Sequence, residues 1–182
     1  MKQPQRRVSI IEVGPRDGLQ SEPEILSTEA KIEFIRRAID AGVRALEVTS
    51  FVHPQRVPQM ADAEAVIKAL PQRSDVRYIG LVLNQKGFER ARDAGLGEIG
   101  MAVVASDTYN QRNQGVPTSE SVKAWLAIAR AAKAAGMRAN VMISSAFGCP
   151  FEGDVPLQRV LDPVHQVLPG EPVELGLADS IG

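Results

Sequence analysis

The 182-residue chain has little of the chemistry that several protein classes require. It holds one cysteine, Cys149, so no internal disulfide forms, as suits a reducing compartment. Its two histidines, His53 and His165, belong to no His-x-His or His-x-x-x-His metal motif. Aromatic residues make up 4%, too few for a base-stacking surface. Neither charge sign is in excess: 21 Lys and Arg face 22 Asp and Glu, which argues against nucleic acid or an anionic membrane as partner. No apolar run approaches the roughly 20 residues needed to span a bilayer. Glu12 interrupts the apolar stretch that a secretion signal would need after the basic start. No G-x-G-x-x-G follows the first apolar run, so dinucleotide binding is not favoured. A cytoplasmic protein is expected, with homo-oligomer formation left open.

What is present is alternation. Short apolar, β-branched runs at 8–13, 45–50, 76–83, 98–105, 138–144 and 173–177 read as six strands buried on both faces. Amphipathic stretches at 28–41, 61–70, 86–94, 119–135 and 156–168 read as helices between them. Ser27 or Thr28 is the expected cap of the first of these helices and Gly42 its stop. The last carries Pro163, where a bend is expected. Regular strand–helix alternation implies a parallel α/β sheet, without separating a barrel from an open doubly wound sheet. Residues 1–182 are expected to form one domain, since no linker interrupts them.

In a parallel α/β fold the residues just past the strands converge on one face. Here that face receives Arg16, Asp17 and Gln20, then Glu47, Thr49 and Ser50, then Asn84, Ser106, Asp107, Ser144, Ser145, Asp179 and Ser180. Polar groups recurring at one end of apolar strands mark an active site. A carboxylate such as Asp17 can hold a divalent cation, and the adjacent Arg16 can hold a developing oxyanion. Glu47 interrupts a buried strand, which is costly for an acid unless it is paired; Arg16 is the expected partner. Cys149, His53 and His165 read as loop or packing residues, and Trp125 as a core residue.

Four motifs add a family resemblance. They are Glu12–Gln20 (EVGPRDGLQ), Leu46–Met60 (LEVTSFVHPQRVPQM), Ala146–Val155 (AFGCPFEGDV) and Leu177–Gly182 (LADSIG). In these the chain resembles the hydroxymethylglutaryl-CoA lyases, a branch of the DRE-TIM metallolyases. The related condensing enzymes carry Thr-Leu-Arg-Asp-Gly-Glu-Gln in place of the first motif. The resemblance implies a (β/α)8 TIM barrel, a divalent metal such as Mg²⁺ or Mn²⁺, and an acyl-CoA substrate cleaved to acetyl-CoA and acetoacetate. It implies Asp17 as a metal ligand, Arg16 as the holder of the enolate oxygen, Glu47 as its support and Asp179 in proton transfer. It places Gln20, Ser50 and Asn113 around the substrate. Ser180 stands where the family usually has Thr, Phe151 where many members have Tyr, and residues 105–115 fit loosely. A complete barrel takes about 250 residues, so these 182 are expected to cover about strands one to six. The family's His-x-His ligands and cysteine loop are expected beyond residue 182, and without them no lyase activity is expected. A related acyl-CoA lyase, a condensing enzyme of the same superfamily and an inactive fragment remain the alternatives.

Overall fold

A computed structural model of the protein describes residues 8–181. Five strands form one parallel sheet: β1 (Ala45–Ser50), β2 (Arg77–Val82), β3 (Glu98–Val104), β4 (Arg138–Ser144) and β5 (Leu175–Leu177). Their spatial order is the chain order, β1-β2-β3-β4-β5. The helices are α1 (Leu19–Ser21), α2 (Thr28–Asp40), α3 (Ala63–Ala69), α4 (Gln85–Asp93), α5 (Asp107–Gln114), α6 (Thr118–Ala134) and α7 (Leu157–Val167). A doubly wound sheet reverses its strand order at a switch point. This one never does, and its helices lie on one face, as in the wall of a TIM barrel.

Burial on both faces, as expected, holds for β1, whereas the two faces of β3 and β4 differ. Along β3 and β4, Ile99, Met101, Val103, Ala139, Val141 and Ile143 are buried under the helices. The alternate residues face the concave side, where Gly100 and Ala102 are half-buried and Met142 is exposed. Trp125 of α6 anchors the outer layer as expected; it is wholly buried and its indole N–H donates to Val167 O at 2.9 Å. Ser27 caps α2 by accepting from Ala30 N–H, and Gly42 follows that helix with a φ of 104°, open to glycine. Helix α7 runs through Pro163, which is buried.

The first expected strand does not form. Residues 8–13 touch the sheet through a single bridge, Glu12 to Leu46. Val8 and Ile10 are 86% and 75% exposed. β-branched residues favour a strand only where a paired, half-buried surface receives them. Here Glu12 alone pairs, donating to Ala45 O and accepting from Glu47 N–H. The chain then turns at once through a π-helical turn, Gly14–Gly18, that runs into α1. The last strand is also shorter than expected, and α5, whose sequence is polar with no clear apolar stripe, was not anticipated.

Candidate active site

The turn after Glu12 is built by its own residues. Glu12 Oε1 accepts from Gly14 N–H at 2.7 Å, and Pro15, which has no N–H to satisfy, starts the turn and is buried. A Cβ on Gly14 would stand 2.8 Å from Glu12 Oε1 and 3.3 Å from Phe34, so a larger residue would push on the Glu12 carboxylate that closes the turn. This closed turn carries Arg16, Asp17 and Gln20 over the C-terminal half of β1.

Arg16 Nε donates to Glu47 Oε1, and Arg16 Nη1 donates to Asp17 Oδ1 at 2.6 Å. Nη2 has no hydrogen-bond partner among the described residues. The Arg16 and Glu47 side chains are 15% and 13% exposed, whereas Asp17 is 60% exposed. Burial pushes the Glu47 carboxyl up, and the Arg16 charge opposes that shift without cancelling it. Glu47 reaches across the concave face as far as β3: Oε2 lies 3.5 Å from where a Gly100 Cβ would be, in ordinary contact. One turn past Arg16, Gln20 Oε1 accepts from Ser50 Oγ at 3.3 Å. Five of the expected site residues, Arg16, Asp17, Gln20, Glu47 and Ser50, thus form one group.

Asp179 follows β5 and so lies at the same end of the sheet, with its Oδ1 accepting from Ile181 N–H at 3.3 Å. Asn113 is exposed in the last turn of α5, and no hydrogen bond ties it to the Arg16 group. Other polar residues at strand ends serve helices. Asn84 caps α4 by accepting from Gly87 N–H, and Ser106 caps α5 by accepting from Tyr109 N–H. His53 and His165 are exposed. Cys149 is buried, and its thiol donates to Ser106 Oγ at 3.1 Å, an arrangement for packing rather than attack.

Glu152 was missed by sequence reasoning. Its Oε1 accepts from Ser106 Oγ at 2.8 Å and from Thr108 N–H at 3.1 Å, and Arg159 pairs with Oε2. The hydrogen bonds from Thr108 and Ser106 hold its carboxyl down at about 2. Glu152 therefore pins the loop after β4 to the N-terminus of α5. The signal was the Gly-Cys-Pro-x-Glu spacing, which puts Cys149 and Glu152 on one tight loop closed by the Cys149–Gly153 backbone bridge.

Among the described residues no group of three or more His, Cys, Asp or Glu side chains is placed to hold a metal ion. Asp17 offers one carboxylate, open to solvent and already engaged by Arg16. Mg²⁺ keeps several waters and still takes more than one ligand from protein or substrate. The described residues therefore supply one ligand and do not by themselves make a metal site.

An arginine–carboxylate pair at the C-terminal mouth of sequentially ordered parallel strands defines an α/β-barrel protein with its polar site at the rim. A model of the HMGL-like family matches residues 7–182. The chain is 39% identical over 177 residues to the hydroxymethylglutaryl-CoA lyase of Bacillus subtilis, an alignment covering 97% of this chain and 59% of that protein. It is 38% identical over 177 residues to the human mitochondrial hydroxymethylglutaryl-CoA lyase, covering 97% and 54%. The crystal structure of the Bacillus subtilis HMG-CoA lyase matches all of this chain and 61% of its own, with a TM-score of 0.95 and 39% identity. An HMG-CoA lyase from Acinetobacter baumannii, solved in complex with coenzyme A and 3-methylmalate, matches 96% of this chain and 57% of its own, with a TM-score of 0.91 and 33% identity. The chain belongs to the HMGL-like family, and it spans little more than half the length of these relatives.

Proposed function

We propose that the protein is a divalent-metal-dependent carbon–carbon lyase that cleaves hydroxymethylglutaryl-CoA into acetyl-CoA and acetoacetate. The observation that carries this reading is the state of Arg16. Two of its nitrogens are fixed by Glu47 and Asp17, and Nη2 is left for a ligand at the barrel mouth. A retro-Claisen cleavage puts negative charge on the thioester oxygen of the departing acetyl-CoA. A preorganised guanidinium beside that oxygen lowers the barrier because its orientation is fixed before the charge develops. Glu47 sets that orientation. Asp179 moves the proton of the tertiary hydroxyl, and Gln20, Ser50 and Asn113 contact the substrate. Asp17 would supply one ligand to a divalent cation, whose chemistry would be Lewis-acid neutralisation of developing negative charge.

Coenzyme A in the Acinetobacter baumannii relative supports an acyl-CoA substrate here. Residues 1–182 then belong to a single TIM-barrel lyase domain. Among the described residues no helix is long and apolar enough to cross a membrane. The cytoplasm is the proposed location, and a homo-oligomer the proposed assembly.

The test is acetoacetate release from hydroxymethylglutaryl-CoA by the full-length protein with Mg²⁺ or Mn²⁺. Metal-dependent release, abolished by a chelator, is expected. Turnover of a different acyl-CoA, with none of this one, would move the assignment to a related lyase or condensing enzyme. No turnover of any acyl-CoA would remove it.

A further inference from the structure

The segment around Asp179 is clamped to the end of β4 from both sides. Before it, Ala178 N–H donates to Ile143 O at 2.9 Å, and Ala178 O accepts from Ala146 N–H at 3.1 Å. After it, Ser180 Oγ accepts from Ser145 N–H at 2.9 Å. Ile181 then packs on Gly148, where a Cβ would stand 2.7 Å from Ile181 Cδ1. Asp179 thus sits between two anchored neighbours, and its Oδ1 accepts from Ile181 N–H at 3.3 Å.

The anchor for Ser180 is unusual. Ser145 has a φ of 55°, a left-handed conformation that side chains with a Cβ rarely adopt. It is wholly buried, and its own hydroxyl is buried without a hydrogen-bond partner among the described residues. Strained backbone and unsatisfied polar groups of this kind persist where the surrounding structure enforces a required geometry. At this point the ladder steps by one residue: Ala146 N–H takes Ala178 O, and the Ser145 N–H leaves the ladder and donates to Ser180 Oγ.

Resting on the lyase reading, we infer that Ser180 is a positioning residue whose hydroxyl, anchored on the Ser145 N–H, fixes the direction of the Asp179 carboxylate at the barrel mouth. Ser180 does not touch the substrate in this assignment. It acts only through the residue before it. Threonine carries the same hydroxyl on the same atom and would serve equally.

Two measurements on the full-length protein test this. In the first, Ser180→Ala, Ser180→Thr and Asp179→Asn are compared with wild type in the hydroxymethylglutaryl-CoA assay. Ser180→Ala is expected to lower kcat by about tenfold or more with KM within about twofold, because the loss falls on the transition state alone. Ser180→Thr should restore kcat. An inactive Asp179→Asn beside a fully active Ser180→Ala would overturn the inference and leave the lyase reading intact. Equal losses in Ser180→Ala and Ser180→Thr, or a fall in Tm that tracks the loss, would also overturn it.

The second measurement is hydrogen exchange at the Ser145 amide, which needs no activity. Exchange should accelerate by about tenfold or more in Ser180→Ala and return to the wild-type rate in Ser180→Thr. An unchanged rate in Ser180→Ala would overturn the clamp whether or not the protein proves to be a lyase. A wild type inactive on every acyl-CoA, with the exchange pattern as expected, would keep the clamp and remove the lyase reading.

Discussion

Glu47 and Ser50 face the same side of β1 although they are three residues apart. Strict alternation would put them on opposite faces. The pairing with β2 shows why: Glu47 lies opposite Ile79 and Ser50 opposite Leu81, so three steps on β1 match two on β2. The extra residue falls between Glu47 and Thr49 as a bulge. Its effect is to aim both polar side chains at the turn that carries Arg16 and Gln20. Arg16 meets Glu47 and Gln20 meets Ser50, so the helical step from Arg16 to Gln20 matches the bulged strand step from Glu47 to Ser50.

Arg16→Lys tests the fork geometry that this arrangement creates. A lysine has one point of charge and cannot engage Glu47, Asp17 and a substrate oxygen together. The expected outcome is a fall in kcat of at least about a hundredfold, with stability changed by less than about 1 kcal/mol. Steady-state kinetics and urea unfolding check it. Turnover near the wild-type rate would remove Arg16 from the chemistry.

Glu47→Gln separates orientation from stability. The substitution keeps shape, removes a charge that burial disfavours and leaves Arg16 paired with Asp17, so folding should change by less than about 1 kcal/mol at pH 7. Orientation of Arg16 should suffer, with kcat falling by about tenfold or more. The pH dependence gives a second check. The folded-state pKa of Glu47 is raised, so its contribution to stability is fully present below the unfolded value and is lost as pH rises through the folded one. Glu47→Gln should abolish that component in unfolding curves measured across this range. A variant that loses stability heavily while keeping its kcat would contradict both halves of the argument.

The parts of this site that were legible in the sequence are those fixed by local chemistry. An acid inside an apolar strand requires a cation, and Arg16 sits just past the neighbouring apolar run. The pair could be named without coordinates. The Glu47–Ser50 bulge could not, because register is a property of two strands and β1 alone reads as an unbroken run. Val8–Ile11 misled for a related reason. Its composition suits a strand, but only Glu12 finds a partner. Asn84 and Ser106 read as site residues from their positions after strands, but their first use is to satisfy free N–H groups at helix starts. In Gly-Cys-Pro-x-Glu the chemically conspicuous residue is the cysteine. The carboxylate three residues on proves to hold the loop.

Glu98 shows how the opposite end of the sheet is secured. Its side chain is 4% exposed and receives Arg77 through two nitrogens, at 2.5 and 3.0 Å, Arg138 Nε at 3.1 Å and Asn140 Nδ2 at 2.6 Å. Burial alone would raise this carboxyl. The hydrogen bonds from Arg77 and Asn140 and the two arginine charges outweigh it and hold the group below the usual range. Glu98→Ala would leave Arg77 and Arg138, both partly exposed, paired with Glu174 alone and the Asn140 amide without its acceptor, which costs about 1–3 kcal/mol. Glu98, Arg77 and Arg138 all start their strands, away from the C-terminal mouth. Thermal unfolding should therefore show the loss, while the kcat of the protein that remains folded stays at the wild-type level. An equal loss of kcat at a temperature where the variant is folded would mean the two ends of the barrel are coupled.

Glu152→Gln should change how the protein responds to acid. The carboxyl sits at about 2 in the folded chain against an ordinary value of 4.5, held by Thr108 and Ser106. A depressed carboxyl contributes stability that is present above its unfolded value and is lost as pH falls through its folded one. The window here runs from about 4.5 down to about 2. Glu152 also faces Arg159, whose charge adds to the same contribution, while its partly solvated side chain screens that part. A glutamine keeps one acceptor oxygen for Ser106 and Thr108 but has no charge to lose. Denaturant unfolding at several pH values should find the variant less stable than wild type at pH 7, with the gap closing as pH drops through this window. The loop that Glu152 holds leads from β4 to α7, so amide exchange at Thr108 should accelerate in the variant. A gap that stayed constant from pH 7 to below pH 3 would show that the ionised carboxylate does not carry this loop.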